Sequence, residues 1–470
     1  MKKHLLLMAL FLAVGIGGLV YGACTLGQEQ EQVSITEETL SGDPKAAEGL
    51  GLELCIGDWS GDLRWDISHT VGGTTETDFI FDGPKQDALW YARRGLRSPI
   101  YAHTDLLESI YRHEYGTDDR RLIPSAPKII QEAADRTKPG ETHRETLHMA
   151  DYFTAYPMFF SWSLDSSTWW EIYFPPHFLE DAFPFPVLPE ETFFVEVTKD
   201  DAGNMTDPRV EFTELPPEDR DPPHDRHVNG PWGQTMIDVV ACDPVEDCPW
   251  VYFVVDARDR EGERLDYSLT RDGYAVYRVK PAFTEAETPV LEAVLPLSME
   301  EKPILMQQLP WGDVAFILQR GRELELIFLD GMSGRELQRM ALGTKSSDIY
   351  PSVELILDGE ALGVRWSDGS REEMILLERN GGRYEEALKA DLTAAAEHVM
   401  RVRSNQWKHL RMTYDGERLA VAMAHDIDCG AVIGVFDREG QLYLGTYSTS
   451  LVLKRDPLML DLLAFSLSWH

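Results

Sequence analysis

Hydrolytic and metal chemistry would begin where histidines and carboxylates stand close together. "HRETLH" at 143–148 misses the H-E-x-x-H zinc-protease pattern because its glutamate comes one place late. On a helix His143 and His148 would diverge by about 140°. They read as separate side chains, not as a ligand pair. "PPHDRH" offers His224, Asp225 and His227, three donors that a loop can bring to one ion. The same residues read equally well as solvated side chains of a Pro-rich loop. The chain has no G-x-x-x-x-G-K-[ST] phosphate loop, no strand followed by G-x-G-x-x-G, and no G-x-S-x-G nucleophile elbow. Paired carboxylates would suit glycoside hydrolysis, which needs two at a set separation. With 80 acidic residues, the sequence cannot single out such a pair. No catalytic residue, metal ligand or cofactor is assigned.

The richest cluster is aromatic. It runs from Tyr152 to Phe194 through "DYFTAYPMFFSWSLDSSTWWEIYFPPHFLEDAFPFP" and "ETFFVE". If "TWWEIYF" is a strand, Trp169 and Trp170 point to opposite faces. An exposed Trp beside Tyr173 and Glu171 would stack on a sugar ring, so Trp169, Trp170 and Tyr173 are the candidate ligand-binding residues. The competing reading is a thick aromatic core under a covering loop.

The 470 residues, 43% hydrophobic and 10% aromatic, are enough for a large core. A net charge of −36 disfavours nucleic acid, whose phosphates it would repel. It also disfavours flat adsorption of the body on anionic lipid. The N-terminus differs. Lys2 and Lys3 precede an uncharged run from Leu5 to Leu26, long enough as a helix to cross a bilayer core. The lysines place the short end in the cytoplasm and the body outside. An uncleaved signal anchor is the leading expectation. Lipidation at Cys24 is second, because Gly22 and Ala23 resemble a bacterial lipobox, although Tyr21 stands where that pattern has an aliphatic residue. A cleaved signal peptide is third. All three make the protein extracytoplasmic. Residues 27–48 then read as a polar linker.

Five cysteines fit that compartment. "CDPVEDC" sets Cys242 and Cys248 across a short turn. If they close it, Cys55 and Cys429 are left for each other. Four isolated buried thiols are the other arrangement. CxxC pairs of the zinc kind are absent.

Short apolar or alternating segments between glycines recur toward the C-terminus. Three stretches, from Trp311, Asp358 and Asp415, each carry turns at equivalent places: Gly312, Gly321 and Gly334; Gly359, Gly369 and Gly382; Gly416, Gly430 and Gly440. Such turns demand the positive φ that glycine supplies. "PWGQTMIDVV" starts a fainter copy at Pro231. The remainder divides into a β-rich aromatic region over 49–213, a Pro-rich acidic linker or loop over 214–231, and blade-like repeats over 232–470. "SAPKIIQEAADRTK" and "TDLLESIYRHEYG" read as short inserted helices. "YEEALKADLTAAAEHVMRVR" reads as strand through about Lys389, then helix. "LMLDLLAFSLSWH" reads as a last strand closing a sheet.

Through this repeated turn and strand pattern the C-terminal half resembles the β-propeller proteins, in particular membrane-anchored extracytoplasmic ones. The resemblance implies an all-β fold of repeated antiparallel sheets behind one transmembrane helix. In ring propellers the terminal strands often share a blade, which would bring Cys55 beside Cys429. It implies no chemistry, since propellers host enzymes and binding scaffolds alike. The expectation is a non-catalytic binding or sensing module, tethered to the membrane, for a protein or glycan partner. The alternative is a secreted carbohydrate-active hydrolase or lyase with paired carboxylates.

Overall fold

A computed structural model describes residues 15–17, 33–57, 63–81, 100–103, 127–156, 159–163, 169–171, 178–206, 208–212, 236–242, 249–259, 262–280, 288–346, 351–402, 407–425, 430–451 and 461–469. The chain is all-β with antiparallel pairing, and it forms two compact units: 1–96 with 346–470, and 97–345.

In the first unit, Ser352–Asp358, Ala361–Ser367, Glu372–Asn380 and Arg383–Asp391 form a four-stranded meander. Its last hairpin closes through Gly381 and Gly382, both at positive φ, with Asn380 facing Arg383. That is the two-residue geometry whose twist matches the flanking strands. The Asp391 carboxylate then caps the Thr393 N–H at 2.9 Å, and a helix runs Thr393–Val402. The expected change from strand to helix is therefore present, two residues beyond Lys389. A five-stranded sheet follows, in the order Ile35–Gly42, Gly440–Thr449, Gly430–Asp437, Leu419–His425 and Trp407–Tyr414. The last sheet sets Asp461–Trp469 beside Leu50–Gly57, Leu63–Thr70 and Thr75–Phe81. The C-terminal segment thus completes a sheet begun near the N-terminus, as its apolar run suggests.

In the second unit, Met236–Ala241, Val251–Arg258, Ala275–Lys280 and Val290–Pro296 form one meander. Glu301–Gln308, Asp313–Arg320, Glu323–Asp330 and Glu336–Thr344 form the next. Two three-stranded sheets accompany them: Ile100–His103, Phe159–Ser163 and Trp169–Glu171; and Thr142–His148, Thr192–Thr198 and Arg209–Phe212. Val314 through Leu318 are each 0% exposed, so both faces of their strand are covered. Burying each large aliphatic side chain there is worth roughly 1.5–3 kcal/mol.

Each unit repeats one packing rule. The strand that leads a sheet lies against the strand that leads the next: Ser352–Asp358 on Trp407–Tyr414 on Asp461–Trp469, and Ile100–His103 on Met236–Ala241 on Glu301–Gln308.

Several expectations are corrected or fall elsewhere. Each repeat has a leading strand ahead of its first glycine; the first two are four-stranded sheets, and the third, joined by Ile35–Gly42, has five strands. Of the nine turn glycines, Gly430 instead opens a strand, and residues 426–429 before it lie outside the described residues. Residues 35–42, inside the stretch read as linker, are a strand, because an edge position accepts side chains that are polar on both faces. No helix among the described residues is long and apolar enough to cross a membrane. Most of the expected anchor over Leu5–Leu26, Cys24 included, lies outside them, as do 214–231 and "TDLLESIYRHEYG".

Candidate functional site

The sheet that begins at Met236 places two aspartates opposite each other. Asp238 on its leading strand is the register partner of Asp256 on the next. Opposite residues in an antiparallel ladder share a face and sit about 4.5–5.5 Å apart. Two like charges so placed repel each other, and their neighbours divide unequally between them.

Asp256 is fully engaged. Its Oδ2 accepts from Arg258 Nε at 3.1 Å and Nη2 at 2.9 Å, and its Oδ1 accepts from Arg264 Nε at 2.8 Å. Both guanidinium groups are themselves held. Arg258 Nη1 donates to the Gly262 carbonyl at 2.9 Å, and Arg264 Nη2 donates to the Glu301 carbonyl at 2.6 Å. Arg264 lies 4.3 Å over the ring of Tyr274, whose hydroxyl donates to the Glu301 carbonyl at 3.1 Å. Tyr267 ties to the main chain at the strand's edge, donating to the Val255 carbonyl and accepting from the Ala257 N–H, each at 2.7 Å.

Asp238 is the odd member. Among the described residues its carboxyl makes no hydrogen bond, and it is half-buried. Burial first, and the Asp256 charge second, push its carboxyl up to about 6, against a smaller opposing pull from Arg258. The pair thus sets an arginine-bound carboxyl group beside a second one that can give or take a proton near neutral pH. That is acid–base capacity in a partly dry setting.

The charge network continues along the same unit. The carboxylate of Glu301, 4% exposed, receives Arg320 and the Ser298 N–H, the latter at 2.7 Å. Arg339 joins Glu325 at 2.9 Å and Glu336 at 3.1 Å.

The residues expected from sequence are placed as follows. Trp169 and Trp170 lie in a strand, opposite Ser163 and Trp162. Tyr173 lies outside the described residues, as do His224, Asp225 and His227. Cys55 and Cys242 are buried, while Cys429 and Cys248 fall outside the described residues. "HRETLH" is a strand, not a helix. Its two histidines, an odd number of positions apart, face opposite ways. No cluster of metal-binding side chains occurs among the described residues. Sequence reasoning missed Asp238 and Asp256. Eighteen positions separate them, and only the register brings them together.

No family model and no curated protein matches the chain. Among solved structures it is similar to a proposed 6-phosphogluconolactonase from Bacteroides uniformis, at 9% identity and TM-score 0.29, covering 86% of this chain and 95% of that one. A rhamnogalacturonan lyase from Bacillus licheniformis matches at 12% identity and TM-score 0.24, over 65% of this chain and 56% of the lyase. TolB from Acinetobacter baumannii matches at 11% identity and TM-score 0.16, over 59% and 79%. The likenesses are slight, and the architecture rests on the sheets themselves.

Proposed function

We propose that the chain is a β-propeller-like binding module, tethered outside the membrane by its N-terminal segment and serving a protein or glycan partner without catalysis. One observation carries this reading: in each unit the leading strands of successive sheets pack on one another. Blades arranged about an axis have that geometry. The pairing of Asp461–Trp469 with Leu50–Gly57 supports it, since a blade built from both ends of the chain favours closure. Such a scaffold presents loops and leading-strand side chains on a rigid base. Asp238, on a leading strand and with no side-chain hydrogen bond among the described residues, is available to a ligand. A hydroxyl-bearing glycan suits a carboxyl that can either accept or donate.

The second reading, a carbohydrate-active hydrolase or lyase, is favoured by the Asp238–Asp256 pair itself. One member is bound by two arginines, and the other is poised to exchange a proton.

A thermal-shift screen of the full chain at pH 5 and pH 7, with a panel of neutral and acidic glycans, tests both. A ligand that binds only the folded state raises the melting temperature. A hit that Asp238→Asn weakens, with no product formed, supports the binding module. Turnover that Asp238→Asn abolishes while the thermal shift persists would support the enzyme instead.

A further inference from the structure

The five-stranded sheet carries a strand that its neighbours in the same unit lack. Among the described residues the other two sheets of that unit stop at four strands, whereas here Ile35–Gly42 is added outside Gly440–Thr449. The added strand buries little: six of its eight residues are exposed, and Ile35 and Leu40 are half-buried. It is held mainly by its main-chain ladder, from Ile35 opposite Thr449 to Gly42 opposite Tyr443.

Among the described residues, two side-chain contacts are added to the ladder: Gln441 Nε2 donates to the Ser41 hydroxyl at 2.8 Å, and Glu37 makes a charged clamp. The Glu37 carboxylate lies 2.9 Å from His69 Nε2 and accepts from the Gly72 N–H at 3.1 Å. An ionised carboxylate only accepts, so Nε2–H is the donor. The other ring nitrogen, Nδ1, meets the Thr75 hydroxyl at 2.9 Å. His69 is 4% exposed and its ring lies 6.0 Å from that of Tyr447, the residue opposite Glu37 in the ladder. Directly after the strand the chain is fixed. Gly42 has φ 83°, and a Cβ there would stand 2.1 Å from the Leu442 carbonyl oxygen. Beyond it Ala47 is 0% exposed, and Arg418 Nη1 donates to the Ala46 carbonyl at 3.1 Å. The strand can therefore peel back as far as Gly42 while the turn after it stays anchored.

We propose that the outer edge of Gly440–Thr449 is a strand-acceptor site, covered in the resting protein by Ile35–Gly42 as a releasable strap. Its partner is an extended segment of another protein that adds antiparallel and carries a carboxylate where Glu37 now sits, facing His69 and the Gly72 N–H. Main-chain pairing supplies the affinity, and the buried histidine selects the acidic side chain. A net charge of −36 opposes a second copy of the chain as the donor. The inference rests on the binding-module reading for its purpose only. Its test does not involve the Asp238 site, so the two fail separately.

The experiment uses the full chain and a fluorescent peptide of residues 33–43. Glu37→Gln in the chain weakens its own strap, and should raise capture of the wild-type peptide about tenfold, the worth of one hydrogen bond to a charged group. Glu37→Gln in the peptide should lower capture by a similar factor. Glu38 and Thr446 are opposite in the ladder, so an oxidised E38C/T446C chain locks the strap, should capture no peptide, and should recover on reduction. Equal capture by locked and reduced chains would overturn the proposal, as would equal capture of the two peptides. Disulfides formed between chains in E38C/T446C would give the edge to a second copy and overturn the assignment to a partner protein.

Discussion

Two four-stranded sheets, one in each unit, carry an acid at the third position of their leading strand, and the residues those acids face differ in sign. Glu354 faces Arg365 across its ladder; Asp238 faces Asp256. Arg365 is 4% exposed and bonds Glu372, itself 5% exposed, with Glu354 farther off at 3.7 Å. Arg365 and Glu372 are paired and sealed. In the other sheet, two arginines are committed to Asp256, and burial and the Asp256 charge outweigh the pull of Arg258 on Asp238. Opposite charges across a ladder stabilise it and like charges do the reverse. That one such position is sealed and the other strained is the ground for proposing the second as a place for chemistry or ligand.

The largest effect should come from breaking the sealed cluster. Arg365→Ala leaves Glu372 buried without its guanidinium, a loss of about 3–5 kcal/mol in denaturant unfolding. Loss below 1 kcal/mol would mean water reaches that carboxylate and the cluster is not sealed. The strained cluster should respond in the opposite sense. Asp238→Asn removes the like charge, and should stabilise the protein at pH 7 by on the order of 1–3 kcal/mol. Its pH signature follows from the raised carboxyl, about 6 in the folded chain against 3.8 unfolded. The folded state binds the proton more tightly, so the contribution of Asp238 to stability is complete below about pH 4. It is lost as pH rises through about 6. The wild type should therefore lose stability over that interval relative to Asp238→Asn, and melting temperatures of both proteins at pH 4, 5, 6 and 7 measure the difference. Parallel curves would remove the strain from Asp238.

How much of this contrast the sequence exposes depends on the kind of residue. Turn glycines announce themselves, because only glycine takes positive φ cheaply; Gly312, Gly321, Gly359 and Gly369 all do so in the fold. Thr393 after Asp391 likewise marks the change from strand to helix. The strap at Ile35–Gly42 is hidden because it has no apolar face to alternate. Asp238 and Asp256 are hidden for another reason. Their types are the commonest in an acidic chain, and their meaning comes from a register that no local pattern encodes. The aromatic cluster allows a ligand or a core reading through its types alone; of its members, Phe183 and Phe185 are 0% exposed and pack as core, Phe183 against Phe253. Large rings are conspicuous in a sequence whichever role they fill.

The smallest expected effect tests whether register or burial makes the sealed cluster strong. Glu354 is the register partner of Arg365, but its side chain is 35% exposed and 3.7 Å from the guanidinium. Glu372 lies off that register and is 7% exposed at its side chain. If facing position alone mattered, Glu354→Gln would cost as much as removing the arginine. If burial decides, water already screens Glu354, and the loss should be at most about 1 kcal/mol. The same reasoning then applies to Asp238. Its pairing with Asp256 matters because burial keeps water from screening the repulsion, and a glutamate placed there in open solvent would titrate normally. Comparing Glu354→Gln with Arg365→Ala in one urea titration series separates the two causes. Equal losses would make register the cause, and the strain at Asp238 would then follow from its position in the ladder.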